Sequence, residues 1–557
     1  MKFSLGFGSH WHRGARGSQP WRRHHQLLGG YMTERNCSKI CARGAIDRGV
    51  SRRDLLRMGT AIIPAGIFLP AWLTARAQQA APSTFDYYVS PTGSDSNPGT
   101  LAAPWAITSA SNLNFTSRNV ANNALMAGKS VGFLPGTYDV SAMMPSTIGG
   151  ALYIPAGTAT ANTYWASCDA SGNYSLLTAT LNAKGSNGLY GGHTGGPGNE
   201  PAIIGHLPET GPQGYIVIDG LVLTGFSYRA IRIGGQSYGG PEPITNPVTI
   251  QNCTFTGGGH NSGDSLDNSA SLWMDGCSNW MVTNNLFLNS APWVPGSCDH
   301  FNAILVGYCQ NGTIQYNTII NAGNVYGKSF GSGTTGIGDE GNVLQYNYLD
   351  TSMYTVSTSG LSDFTGYPAP GLTQTTIFRN NVVLATIDAI GGYSVTSNWP
   401  TGFTTPVQAY NNTLINSGTG PTVRIGMSNS SAVTIYNNII TGKPTPVTIN
   451  GGTVAILDYN LAASSISGGG SQDLTGTPTF VGGTPTLPAQ AYQLATGSTG
   501  KGAGRAGGVA SGAAIDMGAW GGTDVNTGQP ISQIGCNLSA GAPTPTAVPN
   551  APILTVT

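Results

Sequence analysis

The chain has 557 residues, of which 81 are Gly and only 9% are charged. Few strong helix formers and many β-branched, Asn and Gly residues argue against a helical protein, and the low charge argues against disorder. Lys+Arg and Asp+Glu both total 24, but the first 77 residues hold 13 basic and 3 acidic residues, leaving 11 and 21 for the rest. An acidic body is the wrong sign for a nucleic-acid partner.

In chain order, the basic excess belongs to a leader. "SRRDLLRMGTAIIPAGIFLPAWLTARA" sets Arg52 and Arg53 before an apolar run that ends at Ala75-Arg76-Ala77. It resembles a twin-arginine export signal with a small-residue cleavage site; an amphipathic N-terminal helix is the alternative. Residues 1–50 read as an overextended start, with Met32 an alternative initiator, and 1–77 are set apart from the fold. The expected destination is a bacterial periplasm or the cell exterior. No apolar run is long enough to span a membrane.

From Leu223 onward one phrase recurs. Aligned on the apolar residue two after a central Asn, the series is Leu223, Phe255, Phe287, Ile319, Leu349, Val383, Leu414, Ile440 and Ala462. A near-fixed period of this size signals a solenoid, and the two-residue alternation in "VTIQNCTF" or "FRNNVVL" makes its units strands. The expectation is an all-β, right-handed parallel β-helix. Asn285, Asn317, Asn347, Asn381, Asn412, Asn438 and Asn460 then form a scaffold column. Stacked about 4.8 Å apart, each satisfies amides that the bend leaves unpaired. Cys253 takes the same place in its coil.

"FDYYVSPTGSDSNPGTLAAPW" (85–105) and "SVGFLPGTYDV" (130–140) resemble the opening of secreted parallel β-helix proteins of the pectate-lyase-like superfamily. "YQLATGSTGKGAG…AAIDMGAWGG" (492–522) is similar to the closing segment that many of them carry. The expected organisation is a β-helix over 85–530, an irregular insertion at about 141–200, and a tail at 531–557 that is Pro-rich from Ser539.

Counted back from the Asn column, Asp267 and Asp299 both lie at 18, Lys328 at 19 and His300 at 17, with Asp264 just upstream. Arg229 and Arg232 occupy the coil before Asp267. This basic–acidic–acidic–basic succession suits β-elimination from a uronic-acid polysaccharide, in which the carboxylate is neutralised and the neighbouring C5 proton removed. By resemblance to the superfamily's lyases, Lys328 is the base, with His300 and Arg232 as further catalytic candidates. Asp264, Asp267 and Asp299 are candidate Ca2+ ligands, and Arg229, Arg232, Trp273 and Tyr308 candidate substrate contacts. A monomer acting on an acidic polysaccharide is the expectation.

Blander readings stand beside these: a solvated Lys328, turn-capping Asp264 and Asp267, and a structural His300. Arg379 reads as a sheet-surface charge, and Arg424 as a residue that extends a groove. A glycoside hydrolase would need paired carboxylates, with Asp339 and Glu340 plus Asp299 or Asp275 as candidates. A binding solenoid would use Trp273, Trp280, Trp293 and Tyr308 as sugar platforms. Cys277 and Cys309 share an offset, so they stack as a disulfide or as an inward reduced pair.

Overall fold

The computed structural model describes residues 80–107, 126–143, 149–184, 201–206, 214–226, 229–234, 244, 246–258, 269–288, 301–322, 324–327, 340–351, 361–363, 373–385, 389–392, 406–416, 422–426, 432–450, 452–485 and 487–538. Among these residues the strands form three long sheets of 13, 12 and 10 strands, here sheets I, II and III. All strand pairs within the three sheets are parallel, and each coil supplies a strand to each sheet in turn. This is the parallel β-helix that the repeat predicts.

The repeat fixes the register. Leu223 pairs with Phe255, Phe255 with Phe287, Phe287 with Ile319, and the series continues without slippage through Leu349, Val383, Leu414, Ile440 and Ala462. These side chains point inward and are all but closed to solvent. Phe255 and Phe287 stack with centroids 4.5 Å apart. Val131, Trp165, Ile218, Ile250 and Val282 form the matching inward row of sheet I.

The series also extends upstream, through Tyr138 and Leu181 to Leu223. The described strands of segment 141–200 therefore belong to the coils rather than lying beside them. Gly149–Tyr153, Thr163–Ser167 and Ala179–Asn182 supply one strand to each sheet. Its coils are longer than those that follow and carry no Asn at the bend, so they fall outside the repeat's period.

The Asn column is built as expected. The backbone N–H and Nδ2 of Asn317 both donate to Asn347 Oδ1, at 3.0 and 3.1 Å, while its Nδ2 also donates to the Val282 carbonyl of the preceding coil at 2.9 Å. The same pattern runs from Asn285 to Asn460. Cys253 enters it by donating its N–H to Asn285 Oδ1 at 2.8 Å.

Immediately before each Asn, and before Leu221 and Cys253 in the two preceding coils, the chain is left-handed, with φ between 52° and 65° at Gly220, Asn252, Asn284, Tyr316, Tyr346, Asn380, Asn411, Asn437 and Tyr459. Asn tolerates this region and Tyr seldom does. Tyr316 and Tyr346 are held there by stacking, 5.1 Å apart and nearly parallel, and by outward hydrogen bonds; Tyr459 is packed among Ile439, Leu461, Leu494 and Met517.

After the last coil the chain turns back. Residues 505–538 run along this left-handed column from the coil of Asn437 to that of Asn284. Residues 531–538, assigned to the tail from sequence, are thus packed: Ile531 and Ile534 are buried against Tyr346, Tyr348 and Val382. Among the described residues no helix is long and apolar enough to cross a membrane.

Candidate functional site

The outer face of sheet III brings together three of the predicted residues. Strand Arg229–Gly234 pairs with Ser269–Asp275, which sets Arg232 beside Trp273 one coil on. Ile231, Ile233, Leu272 and Met274 fill the core, so alternation turns Arg232, Trp273 and Asp275 outward. Both guanidinium groups lie over the Trp273 ring, Arg229 at 3.5 Å and Arg232 at 5.3 Å from its centroid. Weak hydration makes guanidinium the cation best suited to such a stack, and each contact contributes about 0.5–2 kcal/mol.

The cluster is enclosed. Arg229 is 0%, Arg232 3% and Trp273 9% exposed. Asp275, two residues after Trp273, is buried on the same face between Gly234 and Gly307. A Cβ on Gly234 would meet the Asp275 carbonyl oxygen at 1.7 Å, and its φ of 103° excludes other residues as well. Tyr308 follows Gly307 in the left-handed bend that leaves sheet III, with φ 53°, and is half-buried. His206, aligned with Ile233, is buried, with Nδ1 2.8 Å from the Ile154 carbonyl oxygen. Arg424 lies on the same sheet, aligned with Gly391 and Thr448.

Lys328, His300, Asp264, Asp267 and Asp299 lie outside the described residues, as do Asp339 and Trp293. The candidate Ca2+ ligands are thus all beyond the described residues, within which no three metal-ligating side chains converge.

Several other assignments are corrected. Glu340 is a structural cap rather than a free carboxylate: it accepts the N–H groups of Thr373 and Gln374, both at 2.9 Å, and the Gln374 amide at 3.2 Å. Trp280 is no sugar platform, because its ring is 1% exposed beneath Gly312. Arg379 is on a sheet face but buried, donating to Gln345 Oε1 at 2.7 Å and Tyr410 Oη at 3.1 Å. Cys277 and Cys309 stack as the reduced pair, with the Cys277 N–H 3.3 Å from Cys309 Sγ.

Sheet I holds a polar centre that the repeat did not reveal. Asp219 is buried and accepts from Tyr164, from Tyr174 at 2.7 Å, from Gln251 at 2.8 Å and from Asn252 at 2.7 Å. Burial pushes its carboxyl up, and these donors oppose the shift. Four donors around one carboxylate leave it no spare valence, so its role is structural. The Gln251 and Asn252 donors lie at the Asn bend of the next coil, the signal that could have located it.

No protein-family model matches the chain, and no curated protein matches it. Solved structures similar to it include XylC in complex with xylose (10% identity, 71% of this chain and 87% of that one, TM-score 0.36). A rhamnogalacturonan lyase is similar over 72% and 89% of the two chains, at 13% identity and TM-score 0.36. The Agl-KA catalytic domain is similar over 72% and 69%, at 14% and 0.34.

Proposed function

We propose that the chain is a carbohydrate-active enzyme that cleaves an acidic polysaccharide by β-elimination, outside the cytoplasm of a bacterium. The observation that supports this is the pair of guanidinium groups, Arg229 and Arg232, set on one Trp on the outer face of sheet III. The charge of a uronate carboxylate paired with them is compensated, which acidifies the C5 proton and stabilises the enolate that forms. Lys328, as the neutral amine, takes that proton. The electron pair forms the C4–C5 double bond, the C4–O bond breaks, and the departing oxygen takes up a proton. Asp264, Asp267 and Asp299 would hold Ca2+, which supplies further charge neutralisation. Because the Arg pair is closed from solvent, the reading requires this face to open to the polymer.

The test follows the ultraviolet absorbance of unsaturated uronates on pectate, alginate, glycosaminoglycans and bacterial exopolysaccharides, with calcium or a chelator. Lys328→Ala should lower kcat about 10²–10⁴-fold, the range of a lost general base. New reducing ends without that absorbance would show hydrolysis instead. Neither signal on any polymer would withdraw the lyase reading.

A further inference from the structure

Coils of a solenoid touch only their neighbours, so a stack can open from either end one coil at a time. In this chain residues 505–538 break that rule. Asn437 exchanges hydrogen bonds with the Arg505 N–H (2.9 Å) and carbonyl (2.6 Å). Asn380 and Asn411 both donate to the Gly521 carbonyl, at 3.1 and 3.2 Å. Tyr346 Oη accepts the Val525 N–H at 2.9 Å, and Tyr316 donates to Asp524 at 2.6 Å. The Cys536 N–H reaches Thr318 Oγ1 at 2.9 Å, and the Asn537 N–H reaches Asn284 Oδ1 at 2.8 Å.

Apart from Thr318, which opens a strand of sheet II, these partners are the side chains of the left-handed column, which point away from the core. Except for the partly buried Tyr316 they are buried, with Tyr346 and Asn437 at 0% and Asn380 at 2% exposure, where the strap lies over them. The strap also carries Asp524 within electrostatic reach of the buried Arg379 guanidinium. Coils more than 200 residues away in sequence are thus tied to the chain's last described residues.

We propose that residues 505–538 are a latch. The latch docks after the coils have stacked, joins the coils from Asn284 to Asn437 into one cooperative unit, and must release before they can unstack. Its position after the last coil means that it closes only on a complete stack. This inference is independent of the catalytic reading.

The test is made on the full chain. Asn380→Gly with Asn411→Gly removes two latch donors while keeping residues that accept the left-handed backbone. Unfolding in guanidinium should accelerate at least about tenfold with the folding rate unchanged, as for contacts formed after the transition state. Slower folding with unchanged unfolding would overturn the proposal.

A second variant, Thr318→Cys, sets a thiol beside Cys536. Oxidised glutathione would convert the two thiols to a disulfide, itself becoming two glutathione thiols. The oxidised variant should unfold about tenfold more slowly than the same variant reduced. Equal rates, or failure of the disulfide to form in the folded protein, would also overturn the latch.

Discussion

Asp473 Oδ1 lies 2.7 Å from the backbone nitrogen of Asn460 and 3.2 Å from its side-chain amide, where the next asparagine of the column would stand. A carboxylate thus ends the column. Asp473→Ala leaves the Asn460 backbone N–H without this acceptor, while the side-chain amide keeps the Ile435 and Asp458 carbonyls, and should cost about 1–3 kcal/mol, measured by urea unfolding. Burial pushes the Asp473 carboxyl above its ordinary range, and the nearby Asp458 adds to the shift. Asp473→Asn supplies the same acceptor without that charge and should have the higher Tm of the two proteins at neutral pH.

Asn347 joins three coils: it accepts from Asn317 and donates to the Ile314 carbonyl and to Asn381. Asn347→Ala leaves several buried groups unsatisfied at once and should lower stability by about 3 kcal/mol or more. A loss below about 1 kcal/mol in equilibrium unfolding would contradict the column's role.

Gly312 is needed for space rather than for its backbone angles. A Cβ there would stand 1.8 Å from the Trp280 ring. Gly312→Ala should cost about 1–3 kcal/mol by overpacking, and Trp280→Ala about 3–5 kcal/mol by leaving a cavity. Thermal denaturation reads both, and Trp280→Leu should leave any polysaccharide binding unchanged.

Alkaline pH should destabilise the fold. Burial holds the hydroxyls of Tyr138, Tyr164, Tyr174, Tyr316 and Tyr436 well above the ordinary tyrosine range and pushes the Cys168 thiol up to about 12. These groups stay protonated in the folded chain after the unfolded chain has begun to ionise. Their contribution is complete below the unfolded values and is lost as pH rises towards the folded ones. The urea midpoint should fall steadily between about pH 9 and about pH 11. A flat profile there would show that these side chains are hydrated in the folded state.

The fold was legible from Leu223 to Ala462 because each coil repeats one short alternating phrase at nearly one spacing, so counting residues gives the register. Tyr138 and Leu181 escaped because their coils are longer and lack the Asn. The latch was legible only as a resemblance at 492–522. Its partners are lone Asn and Tyr side chains whose outward direction comes from a left-handed bend, which no residue pattern marks where tyrosine occupies it. Arg229 and Arg232 were named as the basic residues of one coil, and Trp273 separately as an aromatic substrate contact. Their meeting on one ring depends on the cross-coil register of sheet III, which places Arg232 beside Trp273.

The backbone N–H of every rung of the Asn column donates in one direction, to the side-chain oxygen of the coil that follows it, and the series closes on an acid. Such a column has a head and a tail. A duplicated coil bearing its own Asn could be spliced in at any internal rung, taking donors from above and giving its own below. The terminal rung differs, because its carboxylate accepts from Asn460 and hands no side-chain donor on. The architecture can therefore lengthen by internal duplication while inheriting its last turn unchanged.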